Sequence, residues 1–197
     1  MERKHKLFFL VLIFFLNASC ATVSSVTAIV GSKSTSTRGF AGSMEDTYLI
    51  TKIIGKISTL QLSNVANITV SVNSGKVLLT GNISNQSKRL ELIKNVWKVD
   101  GVKKIFNEIQ INSAPSFAER AEDLLFETKI KNRLLFKKGI YSNNYSVDVV
   151  SGTVYVMGVA TNLNEKNNID NFLKEMDDIK ALVTIISIPK SPGVKND

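Results

Sequence analysis

The feature that most constrains the fold is an internal repeat, which covers most of the chain in two copies. Residues 46–111 align with residues 123–188 at a constant offset of 77 positions, without insertion or deletion. Chance matches do not keep glycine, asparagine and alternating valine in one register, so this self-similarity indicates two copies of one structural unit. The identities include Thr51/Thr128, Lys52/Lys129, Asn67/Asn144, Val70/Val147, Val72/Val149, Gly75/Gly152, Val77/Val154, Gly81/Gly158 and Asp100/Asp177. The sequence therefore predicts two domains of one fold.

The spacing of apolar residues predicts a helix, a β-hairpin, a second helix and a final strand in each copy. The first helix has an apolar face at helical spacing, with Asp46 before it as N-cap. Alternating residues on either side of a turn at 73–75 predict the hairpin. The apolar positions of these elements in the first copy are Leu49, Ile53, Ile57, Leu60, Ile68, Val70, Val72, Val77, Leu78, Leu79, Leu90, Ile93 and Trp97. Those of the second copy are Phe126, Ile130, Leu134, Val147, Val149, Val154, Val156, Leu173, Met176 and the strand 182–188.

This order of elements predicts an α+β fold in which each copy packs a small mixed sheet on two helices. The predicted first domain spans residues 46–112 and the second spans 117–189, with a linker at 113–116 and a tail at 190–197. So short a linker predicts that the two domains touch.

The N-terminus carries the pattern of an export signal. Basic residues precede an apolar run of ten residues, Leu7–Leu16, which is about half the length of a membrane-spanning helix. A transmembrane anchor is the alternative. The run ends Leu16-Asn17-Ala18-Ser19-Cys20, which resembles a bacterial lipobox and predicts a signal peptide at 1–19 and a lipid anchor on Cys20. Ala21, which is not Asp, implies export to the outer membrane. Residues 20–45 are then a flexible tether, or dock as an edge strand through 23–30.

Catalytic and metal chemistry are disfavoured by composition. One Cys and one His cannot supply a disulfide, a Cys/His zinc site or a histidine-based triad in the exported chain. The acidic residues Glu119, Glu122, Asp123 and Glu127 sit near the start of a helix, where they complement its dipole. The sequence therefore predicts neither a metal site nor histidine-based catalysis, and no cofactor is expected.

The formal charge of +8 leaves anionic partners open. Nucleic acid is disfavoured because Tyr48, Tyr141 and Tyr145 are not clustered with the lysines, and because the signal exports the chain. Trp97 and Phe106 are interpreted as core residues.

Two motifs carry a resemblance to a known family. The hairpin 70–81 reads V-x-V-x-x-G-x-V-x-L-x-G, and a helix later the segment 99–107 reads V-x-G-V-x-x-I-x-N. This pattern resembles the BON domain, and two such domains behind a lipoprotein signal resemble dual BON-domain outer-membrane lipoproteins. In the second copy Asp178 replaces the glycine found at 101. The resemblance implies a periplasmic, non-catalytic protein that binds anionic phospholipid and supports envelope integrity. The alternative is a scaffold that docks on envelope proteins such as the β-barrel assembly machinery.

The first helix of the second copy is the candidate binding element. Ser116-x-x-Glu119 has the form of a capping box, which predicts a helix from Phe117 to about Lys138. With Phe126, Ile130 and Leu134 turned inward, an apolar stripe faces outward beside two lysines, whereas the first copy has Thr47, Tyr48 and Ser58 there. The resemblance implies that this helix binds phospholipid, with a family tryptophan at position 125. The outward stripe comprises Ala121, Leu124, Leu125, Thr128, Asn132 and Leu135. The predicted site for phosphatidylglycerol or cardiolipin comprises Leu124, Leu125, Phe126, Thr128, Lys129, Lys131, Asn132 and Leu135. The alternative is that the stripe packs on the first domain or on a second copy of the chain.

Overall fold

The computed structural model describes residues 39–60 and 67–189, and both repeats fold as predicted into helix, hairpin, helix and strand. The predicted signal peptide, Cys20, the tether up to residue 38 and the tail at 190–197 lie outside the described residues. The first domain contains α1 (Gly39–Ser58), β1 (Ile68–Asn73), β2 (Lys76–Ile83), α2 (Gln86–Trp97) and β3 (Lys104–Ile111). The second contains α3 (Phe117–Phe136), a 3₁₀ turn (Ser142–Asn144), β4 (Tyr145–Val150), β5 (Thr153–Val159), α4 (Leu163–Lys174) and β6 (Ala181–Ser187). The α+β fold class is confirmed.

Each domain has a three-stranded mixed sheet whose middle strand is the second strand of the hairpin. β1 pairs with β2 antiparallel and β3 joins β2 in parallel, and β4, β5 and β6 repeat this arrangement. The register repeats as well, since Val70 lies opposite Leu79 and Val147 lies opposite Val156. A parallel neighbour needs a crossover connection, and α2 and α4 supply it.

The two hairpins turn through residues with positive φ. Ser74 and Gly75 have φ of 55° and 78°, and Ser151 and Gly152 have φ of 50° and 75°. Positive φ at both central residues matches the twist of the flanking strands, and it is the reason that glycine recurs at this position in the repeat.

The start of α1 differs from the prediction. The helix begins at Gly39, so residues 39–45 are not part of the predicted tether, and Asp46 lies inside the helix and is not its N-cap. Met44 and Glu45 are good helix formers and no proline interrupts the segment, so the helix extends toward the N-terminus past the predicted cap.

Asp46 instead holds the hairpin turn. It is only 6% exposed, and its two carboxylate oxygens accept the backbone N–H groups of Ser74 and Gly75 over 2.9 and 3.2 Å. Asp123 accepts those of Ser151 and Gly152 over 2.8 and 3.0 Å. The interpretation of Asp123 as a residue that complements the helix dipole therefore misses its main contact, which lies 28 positions further along the chain.

Each domain has its own core between sheet and helices. The inward faces of α1 and α3 are as predicted, with Ile53, Ile57, Ile130 and Leu134 buried. The prediction for α2 is wrong at Leu90 and Trp97, which are 46% and 50% exposed, whereas Leu92 and Val96 are buried. Ile93, the third predicted residue, is half-buried and packs against this core. Apolar residues therefore occur on two faces of the helix, and only one of them meets the sheet.

A third apolar cluster joins the two domains. Side chains alternate across a strand, so β2 sends Val77 and Leu79 into its own domain and Leu78 to the opposite face of the sheet. Leu78 meets Val150, Tyr155 and Met157, with Phe106, Val183 and Ile185 packed around them. The predicted contact between domains is confirmed, and Phe106 is a packing residue of this interface.

Candidate functional site

The first helix of the second domain, α3, is held at its start by the predicted capping box. Ser116 Oγ accepts the Glu119 N–H over 3.2 Å, and Glu119 Oε2 accepts the Ser116 N–H over 2.7 Å. The hydrogen bonds from the Ser116 backbone and side chain lower the pKa of Glu119. The helix ends at Phe136, slightly before the predicted end, and Lys137 follows in an extended conformation.

The outward stripe of α3 is exposed as the sequence predicts. Leu124, Leu125 and Leu135 are 62%, 71% and 58% exposed, so among the described residues the stripe is not covered by the first domain. Phe126, which the sequence places in the binding site, is half-buried and packs on the second-domain core. Thr128 and Asn132 are exposed, and the Thr128 hydroxyl donates to the Leu124 carbonyl over 2.8 Å.

Two aromatic residues that the sequence analysis left out enlarge this stripe. Phe117 and Phe136, at the two ends of α3, are 82% and 81% exposed. At about 100° per residue, Phe117 lies on one line with Leu124 and Leu135, and Phe136 lies beside Leu125. The helical spacing of the outward stripe, extended to both ends of α3, includes positions 117 and 136. We call the five side chains Phe117, Leu124, Leu125, Leu135 and Phe136 the apolar face of α3.

The two lysines that flank the apolar face form ion pairs within the domain. Lys129 bonds to Asp178, the residue that replaces a glycine in the repeat, and Lys131 bonds to Glu127 one turn earlier. The hydrogen bond and the charge of Lys129 lower the pKa of Asp178. All but Glu127 are well exposed, and exposed pairs are worth about 0–1 kcal/mol, so an incoming anion can replace the carboxylates.

The corresponding face of α1 is different, as the sequence predicts. Tyr48 stands at the position of Leu125 and is 64% exposed, with the Lys52 ammonium 4.8 Å from its ring centroid. The prediction that Tyr48 is not clustered with lysines is therefore wrong, because Lys52 and Lys103 line a groove with it. Thr47 and Ser58 occupy the positions of Leu124 and Leu135. The two domains therefore present chemically different helices on one scaffold.

A small polar pocket of about 170 Å³ lies where the two domains meet, with Leu124 at its edge. Its wall includes Asp148, which is 9% exposed and accepts a hydrogen bond from the Thr80 hydroxyl of the first domain. Burial raises the pKa of Asp148 to about 6, although the Thr80 hydrogen bond acts in the opposite direction.

In residues 39–60 and 67–189, no group of His, Cys, Asp and Glu side chains is arranged to hold a metal ion. Over the same ranges, no helix combines the length and the hydropathy that a membrane span requires.

The fold and the repeated hairpin define a protein of two tandem α+β domains. A family model described as the BON domain matches residues 45–113 and again residues 123–188. The chain therefore belongs to the BON domain family, as its sequence motifs indicate.

Relatives align over 64% to 87% of the chain. An uncharacterized protein from the gshII 5′ region of Anaplasma centrale is 34% identical over 127 residues, which cover 64% of this chain and 84% of that protein. The outer membrane lipoprotein DolP of Haemophilus influenzae is 20% identical, covering 87% of this chain and 89% of DolP. The osmotically inducible protein Y of Escherichia coli is 22% identical, and the match covers 71% of this chain and 70% of that protein.

Among solved structures, the chain is similar to CdsD, a structural protein of the type III secretion system of Chlamydia trachomatis. The identity is 15%, the TM-score is 0.28, and the match covers 72% of this chain and 61% of that one. At this TM-score the likeness carries no argument about function.

Proposed function

We propose that this chain is an outer-membrane lipoprotein, anchored at Cys20 on the periplasmic side, that binds anionic phospholipid through α3 and supports envelope integrity. The observation that carries the proposal is the apolar face of α3, where five large side chains are each more than half exposed. Exposed apolar surface of this extent on one element marks a binding site for a protein or a membrane.

The chemistry of α3 fits a helix that lies in a membrane interface. Such a helix buries its apolar face at the boundary of headgroups and acyl chains while basic residues meet anionic headgroups. Burying one Leu or Phe side chain is worth about 1.5–3 kcal/mol, so two or three of them outweigh the opening of the weak ion pairs at Lys129 and Lys131.

The comparison with DolP supports the location. DolP is by name an outer membrane lipoprotein and aligns over 87% of this chain, which includes both domains. A lipid anchor at Cys20 would also raise the local concentration of the second domain at the bilayer, so that weak headgroup contacts are enough to keep α3 bound.

The test is vesicle binding by residues 20–197 carrying Cys20→Ala, so that neither the signal peptide nor the lipid anchor contributes. Vesicles of phosphatidylcholine with phosphatidylglycerol or cardiolipin are compared with phosphatidylcholine alone. The variant Leu125→Glu with Lys131→Glu changes the apolar face and one flanking charge. We expect its affinity for anionic vesicles to fall by about tenfold or more, because both the burial and the attraction are lost.

The matched control is Leu90→Glu with Lys94→Glu, which makes the same chemical changes on an exposed face of α2. It should bind as the parent does. Undiminished and salt-insensitive binding by the Leu125/Lys131 variant would contradict the proposal. Loss of a protein partner with lipid binding intact would instead favour docking on envelope proteins such as the β-barrel assembly machinery.

A further inference from the structure

A groove on the surface of the first domain recurs in the second domain. The first groove, of about 470 Å³, lies between α1, the hairpin turn at 74–75 and the loop that leads from α2 into β3. The second groove, of about 460 Å³, is lined mostly by the residues 77 positions later, with Glu119 in addition and without Leu125 and Asp177. Lys52 and Lys103 of the first groove correspond to Lys129 and Lys180 of the second. The internal repeat therefore allows a position-by-position comparison within one chain.

The grooves differ most at the position of Gly101. In the second groove this position is Asp178, whose carboxylate pairs with Lys129 of α3. In the first groove it is Gly101, which has no side chain and adopts a φ of 103° that disfavours other residues. The ammonium of Lys52 therefore meets no carboxylate there and lies over the Tyr48 ring. The Lys129–Asp178 ion pair thus occupies part of the second groove, and the first groove has no ion pair at the corresponding position.

The charge around the two grooves differs in the same direction. The first groove continues past Lys52 and Asp100 into a shallower depression lined by Lys56 and Lys98. We call Lys52, Lys56, Lys98 and Lys103 the lysine cluster. Among the described residues none of the four forms an ion pair, and with Asp100 they carry a formal charge of +3.

The second-domain positions that correspond to the lysine cluster, Asp100 and Gly101 are six in number and together formally neutral. Arg133 and Glu175 replace Lys56 and Lys98, and the full set is Lys129, Arg133, Glu175, Asp177, Asp178 and Lys180. Glu45 and Asp46 also line the first groove, but Glu122 and Asp123 take their places in the second. The acidic wall is thus common to both. Counted with it, the first groove and the lysine cluster together carry a formal charge of +1, and the corresponding positions of the second domain carry −2.

We propose that the first groove and the lysine cluster bind a phosphate-bearing anion, in a site separate from α3. Lysine ammonium groups bind phosphate as point charges, and four of them line the first groove and the depression that adjoins it. This arrangement attracts a phosphate monoester or a phosphodiester. Tyr48 and Leu49 line the same groove and provide apolar contact for whatever the phosphate is attached to. The phosphate belongs to a free small anion or to a lipid headgroup.

The test uses the full-length chain in a neutral detergent, observed by ¹H–¹⁵N NMR. Inorganic phosphate is titrated at constant ionic strength against chloride. We expect saturable shifts of the Gly75 and Gly101 amides, with no matching shift at Gly152 in the second groove. Lys98→Glu with Lys103→Glu should raise the apparent dissociation constant about tenfold or more. Both side chains are exposed, so the spectrum of the variant should otherwise be unchanged.

A second arm replaces phosphate by phosphatidylglycerol in the micelles, and shifts in this arm assign the site to a lipid headgroup. Shifts with inorganic phosphate alone assign it to a free anion. The control, Lys94→Glu with Lys174→Glu, makes the same charge change at exposed positions outside the groove. Equal weakening by the control, equal shifts with chloride, or no shift at Gly101 with either ligand would overturn the proposal.

Discussion

At the scale of single residues, one aspartate in each domain connects the first helix to the hairpin turn. Asp46 and Asp123 each accept two backbone N–H groups of a turn that would otherwise leave donors without a protein partner. These hydrogen bonds join elements far apart in the chain. The two aspartates therefore stabilise the position of each helix relative to its sheet as well as the turn itself.

Replacing Asp46 by Ala is expected to lower the free energy of unfolding of the first domain by about 1–3 kcal/mol, because two charge-assisted hydrogen bonds are lost at a buried position. Urea denaturation measures the change, and amide exchange at Ser74 and Gly75 should accelerate. Asp46→Asn keeps one acceptor oxygen, so its free energy of unfolding should fall by less than that of Asp46→Ala. An Ala variant as stable as the parent would show that water replaces the carboxylate without cost.

The anchor is also a single-residue prediction. The only cysteine of the chain lies four positions after the end of a short apolar run, and we expect Cys20→Ala to release a periplasmic protein from membranes. Fractionation in high salt measures this, with Ser25→Ala as a control outside the lipobox. A Cys20→Ala protein that still sediments fully with membranes would contradict acylation at this residue.

At the scale of elements, one face of α3 packs in the core and stabilises the second domain, while the opposite face is the proposed binding surface. Leu134 is 2% exposed, and its neighbour Leu135 is 58% exposed. Leu134→Ala should lower the free energy of unfolding by about 2–5 kcal/mol, because it leaves a cavity in the second-domain core. Leu135→Ala should change stability by less than about 0.5 kcal/mol while weakening vesicle binding. Chemical denaturation and vesicle binding of the two variants test this, and equal losses of stability would place Leu135 in a packed contact.

At the scale of the whole molecule, the interface between the sheets is expected to respond to pH. The folded state raises the pKa of Asp148 from 3.8 to about 6 because the carboxyl is buried against the first domain. Glu127 and Asp123 add to the rise, while the Thr80 hydrogen bond and the charge of Lys131 oppose it. The folded state therefore binds a proton more tightly at this site than the unfolded state does. Stability is lost at this site as pH rises from about 4 to above 6, in total on the order of 2–3 kcal/mol.

The measurement is the free energy of unfolding against pH for the parent chain and for Asp148→Asn. Asn keeps the shape and an acceptor for Thr80 but does not titrate. As pH rises from 4 to 7, the free energy of unfolding of the variant should increase relative to that of the parent. The other carboxylates titrate in both proteins and do not change this difference. Parallel curves for the two proteins would contradict the assignment of Asp148.

The sequence by itself determined the features that depend on residues close together in the chain. Helix and strand periods, the glycines of the hairpin turns and the capping box at Ser116 are local, and the 77-residue offset showed that the local pattern occurs twice. The exposed face of α3 also followed, because once Ile130 and Leu134 face inward the helical period sets the direction of the other side chains.

Only the tertiary structure decided the features that depend on which distant segments meet. α2 carries apolar residues on two faces, and contact with the sheet selected Leu92 and Val96 and left Trp97 half exposed. The bonds of Asp46 to the turn, the pairing of Lys129 with Asp178 and the burial of Asp148 against Thr80 span 28 to 68 positions. Local propensity acts within a few residues, whereas the burial of a side chain is set by the packing of the whole chain around it.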